Sequence, residues 1–119
     1  MLALEETIIE SHNDFNSWAS VCTGFDEKEN LLIKLTFQNN EEGGSQLTTT
    51  ATIDADTAYQ MAAYLKISLT RLPQFILKKF GDESKTASPT EVKSLFYELL
   101  NFVTVYKGHY RISRTETDL

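Results

Sequence analysis

The chain predicts an α+β fold: a three- to four-stranded antiparallel meander with helices packed on one face, in the order α-β-β-β-α-α-α-β. Three observations carry this. Residues 17–53 hold three runs that alternate apolar and polar side chains, parted by polar connections. Residues 54–80 hold the densest run of large apolar residues, at helical spacing. Residues 88–106 hold a second helical apolar stripe behind a strong start signal. At 119 residues and 41% hydrophobic content, 1–119 is expected to be one domain with its own core.

Taken in order, residues 2–11 place Leu4 and Ile8 four apart among Glu5, Glu6 and Glu10, which predicts a short amphipathic helix. His12-Asn13-Asp14 breaks it, and Phe15 and Trp18 are the first residues expected to reach the core. Ser17 to Phe25 reads as a strand. Trp18, Ser20 and Cys22 share one face; Ala19, Val21, Thr23 and Phe25 share the other. Gly24 suggests a bulge or the approach to a turn. After the polar connection Asp26–Asn30, Leu31 to Gln38 sends Leu31, Ile33, Leu35 and Phe37 one way and Leu32, Lys34, Thr36 and Gln38 the other. The loop 39–45 is rich in turn residues. Gln46 to Ile53 then sets Leu47, Thr49, Ala51 and Ile53 against three threonines, which suit a wet outer face.

Asp54 is a candidate N-cap with Asp56 in the first turn. Pro73 has no place in a helix interior, and Leu72 before it is pushed toward extended backbone. The segment therefore divides into helices near 55–70 and 73–80, the second closed by Lys78, Lys79 and Gly81. Ser88-Pro89-Thr90-Glu91 is a capping box with proline at the first helical position. The helix behind it carries Val92, Leu95, Phe96, Leu99, Val103 and Tyr106 on one stripe, and Gly108 ends it. His109 to Arg114 reads as a short fourth strand with Tyr110 and Ile112 inward, and residues 115–119 as a loose tail.

Composition narrows function by exclusion. The net charge is -6; residues 1–56 carry 11 acidic and 2 basic residues, while 57–119 carry 6 and 9. A sequence-independent nucleic-acid binder needs a basic face, so nucleic acid is not an expected partner. The helix–strand order resembles that of double-stranded-RNA-binding domains, but Asp54 and Asp56 stand where such a domain needs a basic helix start. Neither a signal-type N-terminus nor a membrane-length apolar run occurs, and Cys22 is the single cysteine. The expectation is a cytoplasmic protein with no membrane partner. His12, His109 and Cys22 have no metal-ligand spacing, and Gly43-Gly44 is followed by no Gly-Lys-Ser/Thr, so no metal or cofactor is expected. Cys22 reads as an inert thiol rather than a nucleophile.

One constellation follows from topology. In a meander the third strand returns toward the first turn, so Asp54 and Asp56 should meet Asp26, Glu27 and Glu29, with only Lys28 near them. These five carboxylates are the candidate partner-binding site, with Glu41 and Glu42 as the alternative end. Helix capping, turn composition and solubility account for the same residues without function. The expected function is a small, acidic, non-enzymatic binding protein, in its most specific form an inhibitor or immunity protein that neutralises a basic toxin or nuclease. Two alternatives stand beside it. One is a secretion chaperone or adaptor acting as a dimer through exposed apolar surface. The other is a small-ligand protein or cofactor-free enzyme with a pocket between sheet and helices, using Tyr59, Tyr64 or His109. The end Glu116–Leu119 also resembles a ligand for a PDZ domain.

Overall fold

The computed structural model describes residues 2–11, 17–39, 44–81, 88–106 and 109–118. Five strands form one antiparallel sheet in sequence order: β1 (Ala3–Glu10), β2 (Ser17–Phe25), β3 (Leu31–Asn39), β4 (Ser45–Ile53) and β5 (Arg111–Asp118). Between β4 and β5 come α1 (Ala55–Leu65), a 3-10 turn (Leu69–Arg71), α2 (Leu72–Phe80) and α3 (Pro89–Val105). The α+β class and the antiparallel meander are as the sequence predicts, with five strands and the order β-β-β-β-α-α-α-β.

The three central strands have the predicted faces. Ala19, Val21, Thr23, Leu31, Ile33, Ala51 and Ile53 have no exposed surface and point at the helices. The register aligns them row by row, as in Thr23↔Ile33↔Ala51. Thr23 is polar in an apolar row, and its hydroxyl donates to the Leu32 carbonyl at 2.9 Å, so no buried donor is stranded. α3 supplies Val92, Phe96, Leu99 and Val103 to the same core; α2 supplies Leu72 and Ile76; α1 supplies Ala58, Met61 and Ala62. α2 lies against β1, and α3 against β2 and, less extensively, β3. The predicted Ser88 cap is present, since Glu91 N–H donates to the Ser88 hydroxyl; the Glu91 carboxylate accepts from that hydroxyl and not, as in a full capping box, from the Ser88 N–H.

Several expectations are corrected. Residues 3–10 are a strand, not a helix. Two register irregularities and a positive φ at Leu4 break the period of two, which hides the strand behind an apparent i, i+4 spacing. Gly24 keeps a regular register with Leu32, approaches the turn at Asp26–Asn30 and faces the irregular stretch of β1 between Ala3 and Glu6. What it provides is room, since a Cβ there would sit 2.8 Å from the Leu2 Cβ. Trp18 lies half-buried on the open face instead of in the core. Residues 115–118 are not a loose tail but the second half of β5, paired with residues 45–48 of β4. Of the residues read as a PDZ-type ligand, Glu116–Asp118 pair with β4 and Leu119 lies outside the described residues. Phe15, Glu41, Glu42 and Gly108 lie outside the described residues.

The first long helix is shorter than predicted. It stops at Leu65 because Lys66 turns left-handed, at φ 60° and ψ 39°. Lys66 N–H donates to the Ala63 carbonyl and Ile67 N–H to the Ala62 carbonyl, the paired bonds of a Schellman stop. That site normally holds glycine, so the sequence carries no sign of it. Leu72 is helical rather than extended, at φ -56°. Its side chain is fully buried, and the 3-10 turn feeds directly into α2 with Pro73 in the first turn, where no N–H is needed. Lys66→Gly removes the left-handed strain and is expected to raise stability by about 1 kcal/mol, read from urea denaturation.

Candidate functional site

The candidate end of the sheet is assembled by one side chain. Leu31 pairs with Ile53, so the β2–β3 turn and the start of α1 are adjacent. Asn30, the last turn residue, joins them. Its Nδ2 donates to Asp26 Oδ2 at 3.2 Å, and its Oδ1 accepts from the Ala55 N–H at 3.2 Å. Asp26 Oδ1 accepts from the N–H groups of Lys28 and Asn30 at 2.8 and 3.0 Å. Asp26 is thus an Asx-type turn residue whose carboxylate is spent on the loop. Desolvation raises its pKa; the Asn30 and Lys28 hydrogen bonds and the Lys28 charge together outweigh that and hold it below the ordinary value.

The five predicted carboxylates therefore share one end of the sheet, in different roles. Asp54 sits at the N-cap position of α1 but makes no side-chain capping bond. The Asn30 Oδ1 serves a different group, the N–H of the first helical residue Ala55, and Asp54 Oδ1 meets the Arg111 guanidinium at 3.2 Å. Arg111, the first residue of β5, corrects the expectation that Lys28 is the one cation there. Its route to the site is β4–β5 pairing, Thr52↔Arg111, which no local sequence signal reveals. Glu27, Glu29 and Asp56 are exposed and take part in none of these contacts. Among the described residues, no group of three or more His, Cys, Asp or Glu is arranged to hold a metal ion.

A second surface, which the sequence reading did not place, lies on the outer side of the helices. Lys79, Phe80, Tyr97, Phe102, Val105 and Tyr106 line a groove of about 740 Å³ between α2 and α3. Phe102 meets Phe80 edge-on at 5.4 Å and Tyr106 at 4.9 Å, and the Lys79 ammonium lies 5.6 Å from the Phe102 ring. The signal was present in the sequence: Phe102 and Tyr106 are four apart, and the apolar arc of this helix is wider than one core face requires. Tyr59 and Tyr64 are exposed on α1; Tyr64 meets the groove residue Tyr106 at 6.5 Å, while Tyr59 and His109 do not line the groove.

Cys22 is half-buried on the open sheet face. Burial first, then a hydrogen bond to Glu5 and the Glu5 charge, push its thiol up to about 11, with Lys34 opposing. An activated cysteine needs the reverse shift. No helix among the described residues is long and apolar enough to cross a membrane. Comparison of the chain with protein-family models, with curated proteins and with solved structures finds no match.

Three outcomes follow from these geometries. Asn30→Ala loses two side-chain hydrogen bonds and should cost about 1–3 kcal/mol in urea denaturation. Because the folded Asp26 pKa is below its unfolded 3.8, its contribution is present above that value and fades as pH falls through the folded one. Asp26→Asn should flatten that part of the acid limb of the stability curve. For Cys22, a pKa of about 11 in place of 9.0 lowers the thiolate population near neutrality. Iodoacetamide should accordingly alkylate the folded protein about a hundredfold more slowly than the urea-unfolded chain, with the rate climbing only in strong alkali.

Proposed function

We propose that this protein is an acidic, non-enzymatic binding module of inhibitor or immunity type, which neutralises a basic protein partner such as a toxin or nuclease. One observation carries the reading. Asn30 locks the first turn to the start of α1, so that exposed carboxylates from two separate elements, Glu27 and Glu29 on one and Asp56 on the other, stand at one end of the sheet. Charges held on a rigid frame steer an oppositely charged partner without loss of side-chain order elsewhere. Asp26 supports the frame, and Asp54 is shared with Arg111.

The test is capture from lysate of the native cell, with unmodified protein and with Glu27→Lys, Glu29→Lys and Asp56→Lys combined. The expected result is a basic protein retained at low salt by the unmodified chain, released by added salt and missed by the triple variant. With the partner purified, its association rate should fall at least tenfold from low to high ionic strength. Retention of the same protein by the triple variant would overturn the proposal. The α2–α3 groove favours a second reading, a chaperone or adaptor that takes an apolar segment of a client against Phe80 and Phe102. Salt-insensitive capture that is lost in Tyr97→Asp would select that reading.

A further inference from the structure

The two edges of the sheet are built differently. β1 carries Glu5, Glu6 and Glu10, two register irregularities and a left-handed Leu4, all of which discourage another strand from adding there. Of these protections β5 shares only the charged side chains, and its charges are of both signs. Its eight residues keep an unbroken register with β4 and include no glycine or proline. Among the described residues it has a strand on one side only, and Arg111 to Glu116 are all exposed. It also balances its charge, with Arg111 and Arg114 against Glu116 and Asp118. A straight edge of this kind presents a row of backbone donors and acceptors to any strand that fits.

We infer that β5 pairs with β5 of a second copy of this chain, antiparallel about a two-fold axis at Thr115, to form a ten-stranded sheet. Charge decides both the occupant and the register. A two-fold axis perpendicular to the sheet keeps each face of one copy continuous with the same face of the other, so opposed residues share parity. Centring on Thr115 sets Arg114 opposite the partner's Glu116 and Glu116 opposite the partner's Arg114. One step away, centring on Arg114 opposes arginine to arginine, and centring on Glu116 opposes glutamate to glutamate. Directly opposite charges on adjacent strands attract, and like charges repel.

The face that Arg114 and Glu116 occupy supplies an independent argument. Their partners on β4 are Thr49 and Leu47, on the helix side of the sheet. The helices stop short of that side, and Leu47, Tyr97, Tyr110 and Ile112 remain exposed around it. A groove of about 300 Å³ runs there between α3 and β5, lined by Phe96, Leu100, Tyr110, Ile112 and Arg114. Two copies joined at β5 bring their grooves side by side. The result is a single trough, roughly 20 Å wide at the usual strand spacing, walled by α3 of each copy. Antiparallel pairing also sends the two acidic ends in opposite directions. The inference stands apart from the acidic end and from any partner bound there.

Sedimentation velocity over micromolar concentrations of the full chain tests it. The unmodified protein should reach twice the chain mass. Arg114→Glu and Glu116→Arg should each weaken association about ten- to a hundredfold. An equimolar mixture of the two variants should restore it, because each then opposes its complement; this rescue also shows that both variants are folded. In a Cys22→Ala background, Thr115→Cys should form an intermolecular disulfide on mild oxidation, since opposed residues at the axis lie within disulfide reach. A monomer at every concentration would overturn the inference. So would a dimer indifferent to both charge reversals.

Discussion

The seat of α3 on β2 and β3 is the contact on which the rest of the structure depends. It buries Phe96, Leu99 and Val103 against Val21, Ile33 and Leu35, and so places the core under one half of the sheet. A five-stranded sheet is wider than this cover. Along β4 the consequence is graded: Ile53 and Ala51 are sealed, Thr49 nearly so, and Leu47 is open. β5 lies at the margin of this cover, with a groove between it and α3. The same placement leaves the outer side of α3 to meet α2, where Phe102 packs against Phe75 and Phe80 instead of the sheet. Core position, bare edge and aromatic groove are three results of one packing choice.

At the end of the sheet a smaller constraint operates. A helix start leaves N–H groups unpaired, and Asp54 is positioned to serve one but is turned toward Arg111. Asn30, from the β2–β3 turn, serves another of these groups, the Ala55 N–H. That bond ties two elements 25 residues apart, while Glu27, Glu29 and Asp56 around it stay exposed. The Asp54–Arg111 contact also qualifies the charge asymmetry of the chain. The acidic first half and the basic second half are separate in sequence, yet the meander lays β5 beside β4 and brings Arg111 to the acidic end. Net charge per segment is not net charge per surface.

What could be read from the sequence followed from how many constraints act on each residue. β2, β3 and β4 are bounded by neighbours on both sides and by helices on one face, so their side chains alternate and their faces were legible. The Ser88 cap was legible because its geometry admits few residue types. The juxtaposition of Asp26, Glu27 and Glu29 with Asp54 and Asp56 was legible because a meander fixes which turns share an end. Arg111 and Asn30 were not, since each acts through a contact made by topology and not by spacing. Lys66 was not, because a lysine in a Schellman stop carries no glycine to mark it.

The two strands misread from sequence, β1 whole and β5 in its second half, are the two edges, and the coincidence has a physical reason. An edge strand lacks one neighbour, and its composition is set as much by what must not bind as by what does. β1 resolves this with glutamates and an irregular backbone, which is why it resembles a helix. β5 carries Arg114 and Glu116 on the same face as Ile112, so its apolar alternation fails where the helices no longer cover it. Thr115 and Thr117, β-branched and well suited to strands, were its remaining signal. An edge with charges of both signs and a regular register is neither guarded like β1 nor apolar like a core strand. Its pattern is consistent when Arg114 and Glu116 are read against their own copies, the one arrangement in which both face an opposite charge.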